Sequence, residues 1–142
     1  MEQKLETSLE LVNDKLHFRG KTPKSGDLDI DYIPPFGDNL GYMPLELFLM
    51  SLGACTGSAL LVILRRMNKT INGLKAACSG DRREEHPTCF SKIDMAFTFN
   101  SPDLDMESIE KAEALARSSF CPVMAMVDPK VEIGISFSIE RP

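Results

Sequence analysis

The feature of the sequence that most constrains its fold is a run of eighteen uncharged residues, Leu47 to Leu64, which is closed by Arg65 and Arg66. Pro44, just before the run, is a favourable first residue for a helix. The length lies at the lower edge of what a helix needs to cross a bilayer, so a membrane span is one interpretation. A helix that is apolar all round can instead be the buried centre of a protein. Small residues at 53, 54, 57 and 59 would let such a helix pack closely on all sides.

The segments on either side of this run favour the buried helix over the membrane span. KLHFR and DLDIDYI, which precede it, alternate apolar and polar residues as half-buried strands do. TINGLKAACS, CFSKIDMAFTFN and KVEIGISFSIE predict three further strands after it. These strands need a core to cover their apolar faces, and the helix supplies one. A chain of 142 residues would struggle to cover the helix completely, so we also expect a homodimer and no membrane association.

The order of the predicted elements is β-β-β-α-β-β-α-α-β, with one helix over SPDLDMESIEKAEALARSSF and a short one after Pro122. Strands and helices grouped in this way are typical of α+β proteins with an antiparallel sheet. The length fits a single domain, residues 1–142, since domains commonly hold about 100–200 residues. We therefore predict one α+β domain with an antiparallel sheet and a central buried helix.

Charge and composition exclude several classes of function. Sixteen Lys and Arg against 21 Asp and Glu give a net charge of -5, whereas a nucleic-acid-binding protein needs a basic patch. The first residues, MEQKLETSLEL, lack the basic start and apolar run of a secretory signal, so a cytoplasmic location is predicted. Two histidines and no CxxC pair argue against a zinc site of the usual kind. No nucleotide-binding motif is present, and we expect neither a metal nor a cofactor.

The four cysteines are the side chains most able to carry chemistry. Cys78 and Cys89 lie on the apolar faces of predicted strands, where a free cysteine usually fills the core. Cys121 directly precedes a proline, at a predicted helix start whose free backbone N–H groups favour a thiolate; a buried thiol that happens to precede proline is the alternative. Cys55 lies in mid-helix without such groups, so by itself it is predicted to be a core residue. The residues alone thus favour Cys121 as the reactive thiol.

Three segments taken in order change this interpretation: PLELFLMSLGACTGSALLVILRRM, GDRREEHPTCFSKI and FCPV. Together they resemble the OsmC/Ohr family of thiol-dependent peroxidases over roughly residues 43–139, and the OsmC-like branch more than the organic hydroperoxide resistance proteins. The resemblance implies a two-layer α+β fold that forms an intertwined homodimer, with its sites at the subunit interface. It also implies that Cys55 is the peroxidatic cysteine and Cys121 the resolving one. This is the reverse of the order favoured by the free N–H groups at the helix start of Cys121.

Two further candidate site residues come from the same resemblance, and both depart from the family pattern. Hydroperoxide resistance proteins use an N-terminal arginine, for which Arg19 is the best match, and a helical glutamate whose position is Leu45 here. The nearby acid is Glu46, which precedes Cys55 by nine residues, or about 180° around a straight helix and about 13 Å along it. Within one chain Glu46 is therefore not expected to orient a partner for Cys55, and its expected role is to complement the helix dipole.

The residues and the resemblance together predict a cysteine-based peroxidase of oxidative-stress defence. Cys55 would attack an organic hydroperoxide, and Cys121 would resolve the resulting sulfenic acid to a disulfide. An external dithiol would then reduce the disulfide. A non-catalytic protein of the same fold, in which apolar and methionine side chains line a site for a hydrophobic ligand, is the alternative.

Overall fold

A computed structural model describes residues 4–142. The N-terminal segment MEQKLETSLEL, in which no secretory signal is predicted, begins with three residues that lie outside this range. The chain divides into two compact units, residues 1–48 and 49–142. The predicted order of strands and helices is confirmed. The elements are β1 (Ser8–Leu11), β2 (Phe18–Lys21), β3 (Leu28–Ile30), α1 (Pro44–Arg66), β4 (Gly73–Arg82), β5 (Phe90–Asn100), α2 (Met106–Leu115), a π-helical turn (Ala116–Phe120), α3 (Pro122–Ala125) and β6 (Glu132–Glu140).

The first unit holds an antiparallel sheet of β1, β2 and β3, in that order. The strict alternation of DLDIDYI predicted Asp31 on the polar face of a strand, and this prediction is wrong because β3 ends at Ile30 and Asp31 is fully buried. Its carboxylate accepts hydrogen bonds from the backbone N–H groups of Tyr32, Asp38 and Leu40, at 2.7, 3.2 and 3.1 Å. Burial raises the pKa of Asp31, but these three hydrogen bonds outweigh burial and hold it below its ordinary range. Asp31 therefore organises the loop that follows β3.

The second unit holds a sheet in the order β4-β5-β6. β4 runs antiparallel to β5, as predicted, with Cys78 opposite Met95. β5 and β6 run parallel, with Phe97 opposite Phe137, so the prediction of a wholly antiparallel sheet is wrong at this pair. A parallel pair needs a long crossover connection, and the segment that contains α2, the π-helical turn and α3 provides one between β5 and β6.

One face of α1 packs closely on β4 and β5. A Cβ atom added to Gly53 would lie 2.7 Å from Cys78 Sγ, and one added to Gly57 would lie 3.3 Å from Leu74 Cδ2. The two glycines therefore let the helix backbone approach the sheet side chains directly. The buried positions on this face of α1 are Leu52, Gly53, Thr56, Gly57, Ala59, Leu60, Ile63 and Leu64.

The opposite face of α1 is uncovered in the single chain. Met50, Ala54, Ser58 and Val62 lie at helical spacing and are all exposed; we call these four residues the open face. The prediction of a helix buried on every side thus holds for one face only. α1 is long and apolar enough to cross a membrane, but the core helix of a soluble protein meets the same criterion. Of its most apolar stretch of 18 residues, 44% is buried.

Replacing Gly53 by alanine tests how tightly α1 lies on β4. The new methyl group would overlap Cys78 Sγ, and overpacking of this kind lowers the free energy of unfolding by about 1–3 kcal/mol. Alanine in place of glycine within a helix raises it by only ~1 kcal/mol. We expect urea denaturation to show a lower free energy of unfolding for Gly53→Ala. The double variant Gly53→Ala/Cys78→Ala should recover stability relative to Cys78→Ala alone, and an equal loss in both backgrounds would contradict the packing described.

Candidate functional site

Cys121 lies where the chain leaves α2 and changes direction. The π-helical turn closes when the Cys121 N–H donates to the Ala116 carbonyl at 3.2 Å. Cys121 then forms the N-cap of α3, with extended backbone angles and its Sγ accepting a hydrogen bond from the Met124 N–H at 3.4 Å. The predicted position of Cys121 at a helix start is therefore confirmed. The π-helical turn was not predicted, since it inserts one residue into an otherwise regular helical pattern.

Cys55 lies on α1 and is a neighbour of Cys121, although 66 residues separate the two in the chain. The backbone N–H of Val123, in α3, and the Cys121 side chain both lie close enough to the Cys55 sulfur to shift the pKa of its thiol. The prediction that no free backbone N–H group serves Cys55 is therefore wrong. This N–H group belongs to α3, and local sequence patterns could not place α3 beside α1. Cys55 is half-exposed, whereas Cys121 is only 4% exposed.

Three neighbouring influences act on the pKa of Cys55. Burial raises the pKa of the Cys55 thiol and is the largest of them. The Val123 N–H acts in the opposite sense, because it donates to the thiolate, and Cys121 raises the pKa further through its hydrogen bond and its charge. Together these influences place the pKa of Cys55 above the ordinary thiol pKa of about 8.5. In the single chain, Cys55 is therefore mostly protonated at neutral pH.

Thr56 completes the group of side chains around the two sulfurs. It is fully buried, and its Oγ1 lies 3.5 Å from Cys121 Sγ. Sequence reasoning missed this residue. The available signal was a hydroxyl next to Cys55 on a helix that otherwise turns apolar and small residues towards the core.

Arg19 and Glu46 both lie in the first unit, where each is engaged in local contacts. Arg19 Nε donates to Asp29 Oδ1 at 3.1 Å, and the same oxygen lies 2.9 Å from Nε2 of the buried His17. The hydrogen bonds of His17 and then Arg19 lower the pKa of Asp29. Glu46 Oε1 accepts the Met43 N–H at 2.8 Å, which caps the start of α1. Any role of Arg19 or Glu46 in peroxide chemistry stays a prediction.

The other two cysteines have different surroundings. Cys78 lies against Gly53, and burial raises the pKa of its thiol. Cys89 is exposed, so its predicted place in the core is wrong; β5 begins only at Phe90, which leaves Cys89 in the preceding loop. All four cysteines are free thiols. Among residues 4–142, no cluster of three or more His, Cys, Asp or Glu side chains is placed to hold a metal ion.

Comparison with known proteins identifies the family. The family model described as OsmC-like protein matches residues 37–136, and the chain belongs to this family. Protein YhfA of Escherichia coli (strain K12) is 27% identical over 96 residues, which are 68% of this chain and 72% of YhfA.

Solved structures agree with this assignment. A hypothetical protein from Aquifex aeolicus VF5 has a TM-score of 0.85 and 28% identity, with 99% of each chain covered. The organic hydroperoxide resistance protein OhrB of Bacillus subtilis has a TM-score of 0.64 and 21% identity, with 95% of this chain and 98% of OhrB covered, and is therefore a likeness in fold. The predicted family and its α+β fold are confirmed.

Mild oxidation tests the proximity of the two sulfurs. In a Cys89→Ser background, which removes the exposed thiol, diamide is expected to form the Cys55–Cys121 disulfide, because these side chains are neighbours. Mass spectrometry of non-reduced peptides identifies the linked pair. A dominant linkage that includes Cys78 would contradict the geometry.

Proposed function

We propose that this chain is a cytoplasmic thiol peroxidase that reduces organic hydroperoxides through Cys55 and Cys121. The observation that carries the proposal is a half-exposed cysteine that lies beside a buried one. An oxidant in the solvent can reach the half-exposed thiol of such a pair, and the two cysteines can then form a disulfide. The fold shared with a protein named for organic hydroperoxide resistance supports the choice of substrate class.

The proposed reaction has three balanced steps. The Cys55 thiolate attacks the outer peroxide oxygen; an S–O bond forms, the O–O bond breaks, and the alkoxide takes up a proton and leaves as an alcohol. The Cys121 sulfur then attacks the Cys55 sulfenic acid; an S–S bond forms, the S–O bond breaks, and hydroxide takes up a proton to leave as water. An external dithiol supplies the two electrons that return both cysteines to thiols.

Accessibility supports Cys55 as the attacking residue. A hydroperoxide must reach the nucleophile, and Cys55 is half-exposed, whereas Cys121 is 4% exposed. The resolving sulfur needs only to reach its neighbour. The raised pKa of Cys55 acts against this assignment, because the thiolate is the nucleophile, but the Val123 N–H offsets part of the rise. A small thiolate fraction that peroxide can reach still reacts, whereas a shielded sulfur does not.

Single cysteine substitutions separate the two steps. Cys55→Ser should abolish peroxide reduction, while Cys121→Ser should still consume one equivalent and leave a Cys55 sulfenic acid that dimedone traps. Steady-state turnover with dithiothreitol should fall at least about tenfold in Cys121→Ser. Cys89→Ser is the matched control, and its turnover should equal that of the parent protein. Loss of the first equivalent in Cys121→Ser would reverse the roles, and a folded protein that consumes no peroxide would favour a ligand-binding function.

The first step should depend on pH in the direction set by the raised pKa of Cys55. Below the pKa of a thiol, the thiolate fraction rises about tenfold per pH unit. Stopped-flow measurements of the first equivalent should therefore show a rate constant that rises about tenfold from pH 7 to pH 8 and does not level off below pH 9. A plateau near pH 7 would contradict the raised pKa.

We also propose that the working form is a homodimer in which a second copy covers the open face. The open face belongs to a helix without charge from Leu47 to Leu64, and a single chain buries only the other side of that helix. Burial of the exposed apolar side chains at this face would favour association. The intertwined dimer that the family resemblance implies is consistent with this arrangement.

A charge on the open face tests the dimer. Val62 and Met106 are similarly exposed, at 46% and 44%, but only Val62 belongs to the open face. Light scattering should give a parent mass near twice the 15.8 kDa of one chain, and Val62→Glu should shift it towards one chain. Met106→Glu should leave the mass unchanged. A monomeric parent protein, or equal effects of the two substitutions, would contradict the proposed interface.

A further inference from the structure

Thr56 is a buried polar residue that the reaction described above does not use. It lies one turn from Leu52 and one turn from Leu60 on the packed face of α1, and all three residues are fully buried. The hydrogen-bond partner of its hydroxyl is Cys121 Sγ, at 3.5 Å. The residue adjacent to Cys55 in the chain therefore contacts the cysteine that is proposed to attack Cys55.

The strength of this contact depends on whether Cys121 is a thiol or a thiolate. Burying a hydroxyl costs stability unless it is well hydrogen-bonded, and valine would fill nearly the same volume without that cost. A neutral thiol is a weak hydrogen-bond partner, whereas a thiolate accepts strong charge-assisted hydrogen bonds. Cys121 as a thiolate would therefore satisfy the Thr56 hydroxyl best. The Met124 N–H reaches the same sulfur at 3.4 Å, so one donor comes from α1 and the other from α3.

We propose that Thr56 is a positioning residue for the resolving step, in which its hydroxyl donates to the Cys121 thiolate and holds that sulfur in line with Cys55. The inference rests on the proposed peroxidase function and extends it to the second step. Thr56 and Cys55 are neighbours on one helix, so a hydrogen bond from Thr56 fixes Cys121 relative to the sulfur that it attacks. Thr56 does not act on the peroxide. Resolution needs no further reactant, since the S–S bond forms as the S–O bond breaks and water leaves.

The matched variants are Thr56→Val, which removes the hydroxyl and keeps the volume, and Thr56→Ser, which keeps the hydroxyl. Each full-length variant is mixed with one equivalent of cumene hydroperoxide. Peroxide consumption reports the first step, and loss of dimedone-reactive sulfenic acid reports resolution. In Thr56→Val we expect a first step within about twofold of the parent and resolution slowed about tenfold or more. Thr56→Ser should retain the parent rate of resolution, because it keeps the hydroxyl that donates to Cys121.

Resolution at the parent rate in Thr56→Val would overturn the inference. Equal slowing of both steps would also overturn it, because it would indicate damage to packing near both cysteines. If near-ultraviolet circular dichroism shows that Thr56→Val does not fold, Thr56→Ala takes its place. Resolution in the alanine variant must then be slower than in the serine variant, and equal rates would refute the role of the hydroxyl.

Failure of the proposed function would give a different result. In that case neither the parent protein nor Cys121→Ser would consume the first equivalent of peroxide. Diamide forms the Cys55–Cys121 disulfide without peroxide. As in the resolving step, the two sulfurs must come into contact for this disulfide to form. Thr56→Val should slow this reaction, while Thr56→Ser should not. An unchanged rate in Thr56→Val would reject the positioning role irrespective of the peroxidase activity.

Discussion

The close packing of α1 on β4 and β5 is the interaction on which the rest of the second unit depends. Two glycines let the helix backbone approach the sheet, and a Cβ at Gly53 would overlap the Cys78 sulfur. The packed face excludes water from α1 on one side, while the open face stays exposed. Cys55 lies between these faces and is half-exposed. The helix that forms the core therefore also presents a thiol within reach of solvent.

α3 places backbone N–H groups beside both sulfurs, which α1 cannot do for its own cysteine. Backbone N–H groups in the middle of a helix are already bonded within it, whereas those of the first turn have no partner there. The π-helical turn ends the preceding helix and brings this first turn to the two sulfurs. The Met124 N–H then donates to Cys121, and the Val123 N–H lies close enough to Cys55 to act on the pKa of its thiol. A four-residue helix thus serves both members of the proposed redox pair, while the Thr56 hydroxyl approaches Cys121 from α1.

Much of the architecture could be predicted from local patterns. The alternation of apolar residues located the strands other than β1, and the uncharged run located α1, because both patterns reflect the period of one element. The position of Cys121 at a helix start followed from Pro122, which has no N–H to lose and favours the first helical turn. Three motifs in order were enough to identify the family, and the resemblance paired Cys55 with Cys121, which the residues alone left unpaired.

What the sequence determined by itself was therefore the type and order of the elements, the helix that begins before Cys121, and the family. The tertiary structure alone decided the parallel pairing of β6, the exposure of Cys89 and the contact of Thr56 with Cys121. It also decided that the Val123 N–H reaches Cys55. Each of these features depends on where a distant segment comes to lie, whereas propensity and periodicity describe only neighbours along the chain.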